Sequence, residues 1–212
     1  MSYDNLIKNI SNYISQELGL SDVKQDKIRF GLEIVVSQLI SLSAVMCISY
    51  VLGILNYVII ILLVTATLRI TGGGIHFKTV YECTFFTSIF TIVSAYLAVN
   101  LSNSNLLNRP YFLVIISVFI ILFLYLWSPA KVENKPFKDE CSRKKYKFIS
   151  TLIGVFWLIF ILTSYILFQQ RYYILISSTI SGLLLQLFSI SPLAYIFNNR
   201  YYHLKEKYWL NK

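Results

Sequence analysis

Apolar runs approaching twenty residues recur along this chain of 212 residues. A helix of that length rises about 30 Å, the thickness of the hydrocarbon core of a bilayer. Charged residues make up only 14% of the chain and apolar residues 56%, whereas a soluble domain is about a quarter charged. The expected fold class is therefore all-α: a polytopic membrane protein of about six transmembrane helices plus an N-terminal amphipathic helix in the membrane interface. One domain accounts for the length, with amphipathic helices over 1–30, a six-span bundle over 31–197 and a tail over 198–212. The first thirty residues are polar and mixed, so no cleavable signal peptide is expected.

Near the start, Leu6, Ile7, Ile10, Ile14 and Leu18 recur at helical spacing opposite Asp4, Lys8, Asn12 and Gln16. This amphipathic helix would lie in the membrane interface or pack on the protein's own face. Gly19 is a plausible helix stop, and Ser21 could cap a second helix. Spans are expected over 32–52, 55–68, 85–101, 111–128, 148–168 and 172–197. Glu33 lies four residues after Arg29, which reads as an interfacial charge pair; a second option is that Glu33 orients His76. Cys47 falls mid-span and reads as an inert core thiol.

The net charge of +9 could suggest nucleic acid, but its distribution argues for membrane topology. Four Lys and Arg precede the first span, two lie in the loop after the second, seven in the loop after the fourth and four in the tail. With both termini cytoplasmic, 17 of the 19 face the cytoplasm, as the positive-inside bias favours. Cysteines on that side stay reduced, so Cys83 and Cys141 are expected to be free.

The loop over 69–83 is where chemistry concentrates. It holds one of two histidines, one of three cysteines and three of eight glycines. A cysteine attacks as the thiolate, and a nearby histidine can take its proton. His76 and Cys83 are seven residues apart, which in one helix is two turns, about 10 Å. That is long for a direct contact, so His76 is expected at or just before a helix start, where Gly72, Gly73 and Gly74 let the chain bend back. Cys83 would then sit in the second or third turn. The bland alternative is a flexible loop with an incidental histidine and a buried cysteine. Arg69 falls near an interface or in a polar cavity, where it could hold a carboxylate or an oxyanion, or simply snorkel.

The pattern Arg69-x4-Gly74-x-His76-x6-Cys83, between the second and third spans, resembles the AgrB accessory gene regulator family. The later Pro129-x4-Asn134-Lys135-Pro136, the chain length and the six-span plan are similar to that family as well. Lys131 and Lys135 are separated here, where some relatives carry a longer lysine run. The resemblance implies a membrane-embedded cysteine endopeptidase that processes an AgrD-like precursor peptide into a cyclic quorum-sensing pheromone in a bacterial cell membrane. It implies His76 as base and Cys83 as nucleophile. Arg69, Gly74, Lys131, Asn134 and Lys135 would support substrate binding or the oxyanion, while Glu33, Glu82 and Asn134 are candidates for a third catalytic residue. The partners implied are the precursor and the lipid bilayer. A homodimer is left open; no nucleic acid, metal or cofactor is expected.

Two other classes compete: a small membrane transporter or exporter, and a non-catalytic scaffold. A transporter would favour ionisable residues deep in several spans, and beyond Glu33 the spans carry almost none. A scaffold has no need of a polar His–Cys loop.

Overall fold

The structure, a computed structural model, describes residues 3–75, 77, 79–130, 140–168 and 173–209. His76, Lys131, Asn134 and Lys135 lie outside the described residues, as does the side chain of Leu6. The described residues form eight α-helices and no strand. In chain order these are α1 (Tyr3–Glu17), α2 (Asp22–Val51), α3 (Leu55–Gly72), α4 (Val80–Asn103), α5 (Pro110–Trp127), α6 (Glu140–Phe168), α7 (Tyr173–Ile190) and α8 (Pro192–Trp209). Six of them, α2 to α7, are long and apolar enough to cross a membrane.

Local sequence sets most of the ends. Gly19 closes α1 with φ of 57°, and Leu20 N–H donates back to Ser15 C=O, a turn that a residue with a Cβ enters reluctantly. Pro110 begins α5 at a position where its missing N–H costs nothing. Several helices run past their expected ends, with α3 reaching Gly72 and α4 and α6 starting early at Val80 and Glu140, and two differences change the helix plan itself. The second amphipathic segment and the first span are one helix, α2, of 30 residues; Ser21 stands at its N-cap position without a side-chain capping bond. The last expected span, 172–197, is two helices. Ser191 and Pro192 break it: Ser191 Oγ accepts from Ala194 N–H and so caps α8, and Pro192 takes its first position.

The α1 helix packs against α2. It buries Ile7, Ser11 and Ser15, one face at i, i+4 and i+8, and Gln25 Nε2 on α2 donates to Asn12 Oδ1 at 2.7 Å. Ile10 and Leu18 of the apolar stripe stay exposed. The bundle has two apolar cores. The larger joins α3, α5, α6 and α7 through residues such as Leu68, Leu124, Trp157 and Leu183. The smaller joins α2, α3 and α4 through Val45, Val58, Ala95 and Ala98.

The α7 helix sits at the centre. Of its apolar window 67% is buried, against 17% to 33% for the other five spanning helices. Small residues permit this. A Cβ on Gly182 would come 3.0 Å from Val64 Cβ and 3.3 Å from Ile61 Cα, so α3 and α7 approach to near backbone contact, as small residues allow in membranes. Cys47, expected in the core, is exposed on the bundle surface. An apolar run uniform around its circumference does not declare which side faces inward.

Candidate functional site

Cys83 is the buried member of three free cysteines, with Cys47 and Cys141 exposed. It stands near the N-terminus of α4, one turn after the N-cap. Thr79 caps that helix by accepting from Glu82 N–H at 3.3 Å, and its carbonyl accepts from Cys83 N–H at 3.0 Å. The early start of α4 follows from this cap, and it puts Cys83 only a few residues inside the helix. Cys83 Sγ lies 4.0 Å from Thr87 Oγ1, one turn on.

The thiol lines a partly open cavity of about 450 Å³ bordered by α2, α3, α4, α7 and the loop after α3. Its walls are mostly apolar, with Arg69, Gln186 and Ser189 among the polar groups at hand. Ile75 and Phe77, the neighbours of His76 on either side, line the same cavity. Phe77 is stacked on Phe86 with centroids 4.4 Å apart, and Tyr201 of α8 meets both rings edge-on.

The loop is fastened from outside rather than by its own turn. Arg69 Nη2 donates to Ile75 C=O at 2.8 Å. Gln186 Nε2, on α7, donates to Gly73 C=O at 2.9 Å. Ile75 N–H donates to Ser189 C=O, and Ala130 N–H to Gly72 C=O. Arg69 thus belongs to α3, which runs four residues beyond the expected end, and its head reaches into the cavity rather than out to solvent. Gly73 and Gly74 have φ of 69° and 143°, backbone that L side chains rarely adopt. A Cβ on Gly74 would lie 2.3 Å from Ser189 Oγ.

The two carboxylates considered as orienting groups each have partners of their own. Glu33 meets Arg29 at 3.3 Å on the exposed side of α2, as the charge-pair reading expects. Glu82 faces α8, where it accepts from Tyr201 Oη at 3.0 Å, Tyr202 Oη at 2.9 Å and Lys205 Nζ at 2.6 Å. This contact pushes the Lys205 ammonium above its ordinary value, with the Glu82 hydrogen bond as the main cause. Glu82 therefore anchors α8 to the start of α4. Among the described residues no group of three His, Cys, Asp or Glu is arranged to hold a metal ion.

Sequence reasoning read α7 only as part of the last span and gave it no functional residue. The available signal was Gln186, a lone amide in an otherwise apolar and hydroxylic span. The α8 partners of Glu82, 119 to 123 residues away in sequence, left no local signal.

Six membrane-length helices, four of them bordering a thiol-lined cavity, define a multi-pass membrane protein with a candidate cysteine site. The chain belongs to the accessory gene regulator B family, AgrB, whose model matches residues 7–190. It is 27% identical over 188 residues to an AgrB-like protein of Clostridium perfringens strain SM101, covering 86% of each chain. It is 28% identical over 182 residues to an AgrB-like protein of Listeria innocua, covering 86% of this chain and 84% of that one. No solved structure matches the chain.

Proposed function

We propose that this protein is a membrane-embedded cysteine endopeptidase that cleaves an AgrD-like precursor peptide and promotes closure of a thiolactone or lactone ring. The observation that carries the reading is the burial of Cys83 against a cavity whose loop wall includes both chain neighbours of His76. Family membership supports the substrate class. Cys83 Sγ attacks the scissile carbonyl carbon as His76 takes the thiol proton. The tetrahedral adduct then collapses, the C–N bond breaks, and His76 returns the proton to the departing amine. The product is a thioester on Cys83. A mostly apolar cavity limits water, so the thioester survives until a Cys or Ser of the peptide attacks it. Arg69 and Gly74 support the reaction by shaping the loop: one ties down the Ile75 carbonyl and the other accepts a conformation that few residues tolerate. Lys131, Asn134 and Lys135 contribute to precursor binding in the basic loop. The charge distribution supports termini, His–Cys loop and basic loop on the cytoplasmic side.

The test is cleavage of a precursor by purified variants in lipid, with intact-mass detection of the adduct. Cys83→Ala abolishes cleavage, and His76→Ala loses it at neutral pH with partial recovery at higher pH as the thiol ionises unaided. Cys47→Ala and Cys141→Ala retain substantial activity. Cleavage by Cys83→Ala, or an adduct on Cys141, overturns the proposal.

A further inference from the structure

Gln186 is only 2% exposed, lies in a spanning helix, and lines the cavity that holds Cys83. A buried amide in such a setting needs partners for both its ends. One end has one: Nε2 donates to Gly73 C=O at 2.9 Å. That bond also fixes which end is which, because the flipped amide would set oxygen against oxygen. The side-chain carbonyl, Oε1, takes part in none of the hydrogen bonds found among the described residues, and it is not among their fully buried orphan atoms, so it keeps open surface of its own. One turn along the same face, Ser189 Oγ is buried and unpartnered as well. Several hydroxyls in the bundle's helices bond back to their own backbone, as Thr65, Ser88 and Thr179 do. Of the unpartnered α7 hydroxyls, Ser178 and Ser181 do not line the cavity, whereas Ser189 lines it together with Gln186.

An acceptor beside a nucleophile recognises an N–H donor. The groups that arrive with a scissile peptide carbonyl are main-chain N–H groups, spaced along the chain at fixed distances from that carbonyl. We infer that Gln186 is a substrate-positioning residue: Oε1 accepts a main-chain N–H of the bound peptide while Nε2 holds the loop at Gly73. One amide then ties the peptide and the loop to the same point on α7, which sets the scissile carbonyl in register with Cys83. This rests on the peptidase reading above and adds to it a residue and the chemical group that the residue reads.

The experiment uses the full chain in lipid nanodiscs with Cys47→Ala and Cys141→Ala, so that Cys83 is the remaining thiol. The probe is the peptide aldehyde acetyl-Leu-Leu-norleucinal. Its carbonyl takes the Cys83 sulfur on carbon and the thiol proton on oxygen, giving a reversible hemithioacetal with no leaving group. Affinity is read as protection of Cys83 from iodoacetamide, followed by intact mass. A second probe is the same aldehyde with its amide nitrogens methylated. Gln186→Met keeps the length of the side chain and removes both hydrogen-bonding ends.

The expected result is that Gln186→Met weakens acetyl-Leu-Leu-norleucinal by about tenfold, the worth of one buried hydrogen bond. The methylated probe and alkylation by iodoacetamide alone report what the loss of the Gly73 bond does to the loop, and both change by less than the unmethylated probe does. If Gln186→Met binds the unmethylated probe normally, or weakens both probes by one factor, the inference is overturned; the second pattern marks a purely loop-shaping role. If the unaltered chain forms no aldehyde adduct while iodoacetamide still alkylates Cys83, the peptidase reading itself fails and the inference falls with it.

Discussion

Replacing Gly74 by alanine tests whether the loop geometry depends on this glycine. Two costs combine. The φ of 143° lies where a residue with a Cβ is strained by about 1–3 kcal/mol. The new Cβ would also fall 2.3 Å from Ser189 Oγ. That oxygen makes no hydrogen bond, so it can swing aside without losing one. Ser189 Cβ at 3.4 Å and Ser189 O at 3.5 Å are in ordinary contact and need not move. The backbone strain should therefore dominate, and Gly74→Ala should lose about 1–3 kcal/mol. For a chain of this size that lowers Tm by roughly 2–12 °C. Unfolding followed by tryptophan fluorescence in nanodiscs reads the stability, and the iodoacetamide alkylation rate of Cys83 reads the site. Adding Ser189→Ala removes the steric part alone, so it should recover only a fraction of the loss. Gly72→Ala is the control: its Cβ would come no closer than 3.4 Å to any neighbour, and it should stay within about 0.5 kcal/mol of the parent. If Gly74→Ala matches Gly72→Ala in both Tm and alkylation, the reasoning about the loop backbone is wrong.

Three further outcomes are expected. Gly31 faces open space inside α2, so Gly31→Ala should raise stability by about 0.5–1 kcal/mol through helix propensity, whereas Gly182→Ala should lower it by about 1–3 kcal/mol by forcing α3 from α7; thermal unfolding in nanodiscs compares the pair. Glu82→Gln should loosen α8, seen as faster amide exchange over Pro192–Trp209; because Lys205 titrates above its ordinary value, the stability it contributes is complete below about pH 10 and fades only as pH rises past that. Impermeant thiol reagents applied to intact cells should miss Lys138→Cys and reach Ser104→Cys, and the reverse pattern defeats the proposed orientation.

Much of the fold was legible because lipid imposes a length rule. The first five spans read from apolar runs coincide with α2 to α6 to within a residue at their C-terminal ends or lie inside them, the sixth runs through α7 into α8, and Gly19 and Pro110 act as their residue types suggest. The split of α7 from α8 was written in Ser191 and Pro192, but the apolar residues after Pro192 masked it. The facing of each span was not legible: Cys47 sits in a run apolar all round, which carries no moment to orient it. At the site, Arg69, Gly74 and Cys83 stood out as unusual residue types in an apolar chain, and the structure brings them to one cavity and its loop. Gln186 and the α8 anchor of Glu82 were missed because their roles come from contacts made more than a hundred residues apart.

The fastening of the loop by α7 bears on how the protein fails when heated. A surface loop held by its own turns frays before the rest of a molecule does, and activity is then lost ahead of the global transition. Here the loop carbonyl of Gly73 and the amide of Ile75 are tied to the most buried helix of the bundle. At Gly73 and Ile75 the loop backbone is coupled to the opening of that helix. Loss of function on heating should coincide with loss of the bundle, in a single cooperative step.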